Sequence, residues 1–301
     1  MKQLFIYILS ITLLMVTGEL QATSTSKNSD NQQQSKDQAI KLDKRKFFPI
    51  SFYKTTYLLP AYYTASPDYA VYQDNTPNNQ DIKKTEVKFQ FSLKVPLVTN
   101  LFNRGIVVYA AYTQLSYWQA YANSAFFRET NYEPELFFEL PIHRQFYKSW
   151  FFEFLNIGGV HQSNGKGGQM ERSWNRIYAE GFFKNGNFVA SVKPWWVTPN
   201  SITKYNDDIT HYLGHGRLLL AYNFHHQIFS AELRNNIESG FKRGTQQISW
   251  SIPLTRQLKF YIQFFQGYGQ SLIEYNHRTT AGGVGISLND ELAEYIPDST
   301  S

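Results

Sequence analysis

Cysteine is missing from all 301 residues. That excludes disulfide staples and thiolate metal centres, and it suits a chain passing through an oxidising compartment. Long apolar runs are missing as well. After Val16 no eighteen consecutive residues are apolar, so a spanning helix is excluded there and any membrane insertion must use strands. Charge is sparse at 18% of residues, and the formal excess of +5 is spread along the chain. Beyond Lys41 to Lys46 no Lys/Arg cluster occurs, which favours solubility and attraction to anionic lipid over a nucleic-acid partner. The absence of any GxSxG segment excludes the nucleophile elbow of a soluble α/β-hydrolase.

What is abundant is aromatic. Rings make up 17% of the chain, with 21 Tyr and 24 Phe, yet the mean hydropathy is -0.42. Many rings in a polar chain suit a membrane barrel with aromatic girdles and a polar interior. From Phe47 the pattern of alternation and turn residues predicts strands over 51–63, 86–96, 105–119, 128–140, 151–163, 172–184, 187–198, 210–222, 227–236, 245–253, 258–269 and 279–288. The expected fold class is all-β, a twelve-stranded antiparallel transmembrane β-barrel over 47–290. Trp118, Trp195 and Trp196 are expected in the interfacial aromatic belts. Lys2 followed by the apolar run Leu4 to Val16 reads as a secretory signal over 1–22, cleaved after Gly18 or Ala22. Residues 23–46, almost without apolar side chains, read as a disordered periplasmic tether, and 291–301 as a C-terminal tail. His211, His215, His225 and His226 match no metal-ligand spacing.

One hairpin, Gly159 to Ala179 (GVHQSNGKGGQMERSWNRIYA), carries a chemical pattern. On a strand, residues two apart share a face, so His161 and Ser163 project together as a base and a nucleophile. A turn centred on Gly167 and Gly168 places Asn175 opposite His161, where its amide can orient the imidazole, completing a nucleophile, base and orienter. These three residues fall on the apolar face of both strands, with Leu155, Ile157, Ile177 and Ala179. The polar faces carry Asn156, Gln162, Arg176 and Glu180. A barrel with a polar lumen would therefore hold the site on its lipid-facing wall. Strand counting from a periplasmic N-terminus puts the turn at the extracellular side, near the outer-leaflet headgroups.

HxSNG followed by RSWNR resembles the signature of bacterial outer membrane phospholipase A, the phospholipase A1 family. YTQLSYWQ (112–119), FRETNYEPELF (127–137), VKPWW (192–196), ITHYLG (209–214), GYGQSLIEYN (267–276) and GVGISLND (283–290) resemble family segments in family order, over Phe48 to Asp290. The resemblance implies hydrolysis of sn-1 and sn-2 acyl esters of phospholipids and lysophospholipids by His161, Ser163 and Asn175, with the Gly165 backbone N–H in the oxyanion site. It implies a homodimer in the outer membrane, with Gln114 hydrogen-bonding across it and one calcium ion per active site. The calcium ligands would map onto Ser124, the Lys166 carbonyl and Glu171. Lys166 stands where the family usually has Arg and Glu171 where it usually has Ser. Gly168 stands where an acidic residue is usual, which weighs against a second calcium site. The competing readings are a non-enzymatic pore or adhesin on the same fold, and a lipid A deacylase or acyltransferase.

Overall fold

The computed structural model describes residues 49–235, 239–292 and 295. The signal and tether expected over 1–46 lie outside these residues, as does most of the tail. The strands are β1 (Ser51–Phe52), β2 (Tyr57–Thr64), β3 (Thr85–Leu101), β4 (Ile106–Trp118), β5 (Phe127–Tyr147), β6 (Trp150–Ser163), β7 (Ser173–Asn185), β8 (Phe188–Val197), β9 (Gly216–Phe224), β10 (Gln227–Asn235), β11 (Gly244–Pro253), β12 (Lys259–Tyr268) and β13 (Arg278–Ser287). Each of β2 to β13 pairs antiparallel with its sequence neighbours, and β13 returns to β2, Ala281 facing Thr64 and Ser287 facing Tyr57. The result is a closed twelve-stranded barrel, with no unpaired sheet edge over the paired lengths. No helix among the described residues is long and apolar enough to cross a membrane. That is no bar to crossing with strands.

Three expectations are corrected. The strand expected over 51–63 is interrupted between β1 and β2, both of which lie along β3. Side chains take over its backbone there: the Lys54 N–H donates to Ser92 Oγ at 3.0 Å and the Thr56 N–H to Asn289 Oδ1 at 2.8 Å. The strand expected from 210 begins only at Gly216. Thr210–Leu213 is instead one helical turn, closed by Leu213 N–H to the Ile209 carbonyl and Gly214 N–H to the Thr210 carbonyl, both at 2.9 Å. Trp195 is buried inside the barrel, its Nε1 donating to the Gly214 carbonyl at 3.0 Å, while Trp196 faces outward at 62% exposure. Adjacent residues of a strand cannot share a face, so only one of this pair can join an outer belt.

Alternation sorts the wall into two surfaces. Outward lie Phe138, Ile157, Ile177, Trp196, Ile248 and Phe264, all exposed. Inward lie charges in oppositely signed neighbours. Arg176 pairs with Glu133, Glu133 and Glu135 share Lys54, Glu135 and Glu180 share Lys193, and Arg217 joins Glu180 to Glu291, at 2.7 to 3.3 Å. A cavity of about 140 Å³ remains among these side chains.

Candidate active site

The β6–β7 ladder pairs His161 with Asn175 and Ser163 with Ser173, the register predicted from the turn. Val160, Trp174 and Arg176 point inward and are buried, which turns His161, Ser163 and Asn175 to the outer wall. There His161 Nδ1 lies 2.5 Å from Asn175 Oδ1. With Nδ1 protonated and donating to that amide oxygen, Nε2 carries the lone pair, and Ser163 stands two residues along on the same face. That tautomer is the one a general base requires.

The turn that follows is folded by Asn164, a residue the sequence pattern contained but gave no role. Its buried carboxamide accepts from the Arg172 N–H at 3.0 Å and the Lys166 N–H at 3.3 Å, and donates to the Met170 carbonyl at 2.8 Å. Asn closing its own turn in this way is a recognisable local signal. Gly165 has φ +65°, and a Cβ there would lie 2.9 Å from Tyr132 Cε2. Tyr132 is paired with Ser163 across the β5–β6 ladder, and its ring packs beside the residue expected to supply the oxyanion donor. Lys166 sends its side chain back to the barrel mouth, Nζ lying 2.6 Å from the Arg128 carbonyl and 3.2 Å from Glu129 Oε2.

Two of the three expected calcium ligands sit on this turn. Glu171 and the Lys166 carbonyl are oxygen donors of the kind a hard cation takes, and beside Gly167 and Gly168 an added Cβ would meet nothing within 4 Å. The donor chemistry is of the kind calcium takes, although among the described residues no three His, Asp or Glu side chains gather at one point. Ser124 belongs to a different loop, between β4 and β5, where its backbone exchanges hydrogen bonds with the Gln80 side chain at 2.7 and 3.3 Å. Gln114 lies on the outer face of β4, its Oε1 accepting from the Tyr112 hydroxyl at 3.1 Å and its Nε2 donating to Ser116 Oγ at 3.2 Å.

Sequence reasoning missed the segment between β8 and β9. The Ser201 hydroxyl accepts from the Asn175 N–H at 3.2 Å and donates toward the Asn175 carbonyl at 3.3 Å. Asn206, fully buried, accepts from the Ser173 N–H at 3.3 Å and donates to the Ser173 carbonyl at 3.1 Å. In the sequence, Asn206 to Asp208 signals only a turn.

A family model described as Phospholipase A1 matches residues 22–288. The phospholipase A1 of Salmonella typhimurium is 38% identical over 246 residues, covering 81% of this chain and 82% of that one. Among solved structures, a calcium-bound dimer of the Salmonella typhi outer membrane phospholipase superposes with a TM-score of 0.77 at 36% identity, covering 84% of this chain and 97% of that one. An active-site mutant of Escherichia coli outer membrane phospholipase A, with alanine in place of an asparagine, superposes with a TM-score of 0.74 at 35% identity, covering 82% and 94%.

Proposed function

Because the chain belongs to the phospholipase A1 family, we propose that it hydrolyses acyl esters of glycerophospholipids on the outer wall of an outer-membrane barrel, through Ser163, His161 and Asn175. The observation that carries this reading is the 2.5 Å contact between His161 Nδ1 and Asn175 Oδ1 on the lipid-facing surface, beside Ser163. A site there meets acyl chains already aligned with the barrel; a site in the lumen would meet only soluble esters.

In the proposed mechanism Ser163 Oγ forms a bond to the ester carbonyl carbon while His161 Nε2 takes its proton. The developing oxyanion receives the Gly165 backbone N–H, held in place before the reaction begins. As the ester C–O bond breaks, the imidazolium returns the proton to the departing glycerol oxygen. Water then repeats the sequence on the acyl-serine and releases a fatty acid. Asn175 is neutral and stabilises the imidazolium less than a carboxylate would, so orientation is its main contribution. Calcium, held across the dimer interface by Ser124, the Lys166 carbonyl and Glu171, would supply positive charge for the oxyanion.

On this reading both sn-1 and sn-2 esters and lysophospholipids are substrates, and one calcium ion serves each site of a homodimer contacted through Gln114. By strand counting from a periplasmic N-terminus, the site on this reading lies near the outer leaflet. Lipid arriving there favours the active dimer.

The test is fatty acid release from phospholipid micelles by detergent-refolded protein, across calcium and protein concentrations. Ser163→Ala should abolish release, and Glu171→Ala should raise the calcium needed for half-maximal rate. The rate per molecule should climb with protein concentration as the dimer forms. No release from the unsubstituted protein at any calcium level would sink the enzyme reading, and deacylated lipid A as the product would redirect it.

A further inference from the structure

The β7–β8 ladder reaches Arg176 opposite Val197 and goes no further. The two residues of β7 beyond it that matter most, Asn175 and Ser173, still need partners on that side for their N–H and C=O groups. In an antiparallel sheet a hydrogen-bonded pair exchanges both bonds, and here two side chains perform that exchange. A carboxamide carries the same donor and acceptor as a peptide group, and Asn206 presents both to Ser173, Oδ1 to its N–H and Nδ2 to its carbonyl. Ser201 Oγ accepts from the Asn175 N–H, its single proton lies between the Asn175 carbonyl at 3.3 Å and the Thr198 carbonyl at 2.7 Å, and the Asn175 carbonyl also takes the Thr198 N–H at 3.0 Å.

Both surrogates are themselves fixed. The Thr203 hydroxyl donates to Asn206 Oδ1, the Asn206 N–H donates to the Thr203 carbonyl at 3.1 Å, and Ser201 Oγ lies 2.7 Å from the Thr198 carbonyl. On its other side β7 faces β6 at the register pairs His161–Asn175 and Ser163–Ser173; because the Asn175 and Ser173 N–H groups turn to the loop, these are the closely spaced, non-hydrogen-bonded pairs of that ladder. The strand that carries Asn175 is thus gripped between the strand that carries the base and nucleophile and a loop that imitates the missing strand.

We propose that Ser201 and Asn206 are positioning residues of the active site. They hold the end of β7 so that the Asn175 amide stays on His161 and the imidazole keeps the tautomer that faces Ser163. The inference rests on the Ser163, His161 and Asn175 reading above. Without this grip the end of β7 keeps on that side only Thr198, whose N–H and hydroxyl reach the Asn175 carbonyl, and a displacement of about 1 Å at a reacting group costs on the order of a hundredfold in rate.

The experiment is a double-mutant cycle read by fatty acid release from phospholipid micelles at saturating calcium. Asn206→Ala and Ser201→Ala should each lower kcat about tenfold to a hundredfold. KM and the calcium half-saturation should stay within about twofold, because Asn206 is fully buried, Ser201 is spent on backbone, and neither is an expected calcium ligand. Ser201→Thr, which keeps the hydroxyl, should restore most of the rate. In an Asn175→Ala background, Asn206→Ala should lower the residual rate no further, since the residue it positions is gone. If Asn206→Ala fails to refold, Asn206→Asp serves instead, because it keeps the acceptor for the Ser173 N–H and loses the donor to the Ser173 carbonyl.

An equal loss from Asn206→Ala with and without Asn175 would overturn the positioning role, as would unchanged kcat in both single variants. The Ser163→Ala control separates the two readings. If it is inactive while Asn206→Ala and Ser201→Ala are fully active, the catalytic reading stands and the positioning role falls. If Ser163→Ala keeps full activity, both fall together.

Discussion

Gly165 shows how much a single residue can carry. Its φ of +65° lies where a Cβ is strained, and its nearest neighbour, Tyr132 Cε2, would be 2.9 Å from such a Cβ. Two separate penalties therefore oppose any side chain at the proposed oxyanion donor. Gly165→Ala should lower kcat by about 10²- to 10³-fold, the usual cost of losing one such donor, as measured by steady-state lipid hydrolysis. Adding Tyr132→Ala should restore only part of the rate. It removes the contact and leaves the backbone strain. Full rescue would show that the ring, and not the φ, demands glycine. The serine, histidine and asparagine were legible in the sequence because a strand's period and a symmetric turn fix their relative places. Tyr132 was not, because its position depends on the register of β5 against β6, which no local pattern encodes.

At the scale of the element, the β6–β7 hairpin is held from both sides and along its length. Gly158 faces Phe137 across the β5–β6 ladder, and a Cβ at Gly158 would lie 2.5 Å from both the Leu136 carbonyl oxygen and Phe137 Cβ. Phe137 cannot yield easily. It is fully buried and stacked between Tyr53 and Tyr109, with ring centroids at 5.4 and 5.3 Å. Gly158→Ala should force β6 away from β5 and cost about 1–3 kcal/mol, seen as a lower melting temperature in detergent. An unchanged melting temperature would mean that the strands separate freely at this point. The extents of β6 and β7 follow the sequence pattern within one residue, because alternation persists to both ends. The helical turn at Thr210–Leu213 does not. An aromatic, apolar segment there resembles a strand, but Leu213 packs so closely on Gly269 that a Cβ on Gly269 would come within 2.3 Å of Leu213 Cδ2, and that contact comes from the far end of the chain.

At the scale of the whole molecule, the interior decides between an enzyme wall and a channel. Arg176, Glu133, Lys54, Glu135, Lys193, Glu180, Arg217 and Glu291 alternate in sign through the lumen, drawn from six separate parts of the chain. One cavity among these side chains, about 140 Å³, has room for on the order of ten waters, and the paired charges fill the lumen around it. Porin-sized conductance in a planar bilayer is therefore not expected, and its appearance would revive the pore reading. Glu135, whose side chain is fully buried, contacts both Lys54 at 2.9 Å and Lys193 at 3.3 Å. Glu135→Ala leaves two buried ammonium groups short of a partner and should cost about 3–5 kcal/mol, measured by thermal or urea unfolding of the refolded barrel.

The sequence by itself determined which faces of β6 and β7 lie on the outer wall, how β6 and β7 pair, and which three side chains gather at the turn, because a strand's two-residue period and a short turn are local properties. Only the tertiary structure decided what surrounds them. The interruption beside Lys54, the inward turn of Trp195, the Tyr132 ring under Gly165 and the Ser201 and Asn206 side chains standing in for a strand all depend on segments brought together by barrel closure. Closure is set by the registers of every strand pair at once, so no single stretch of the chain contains it.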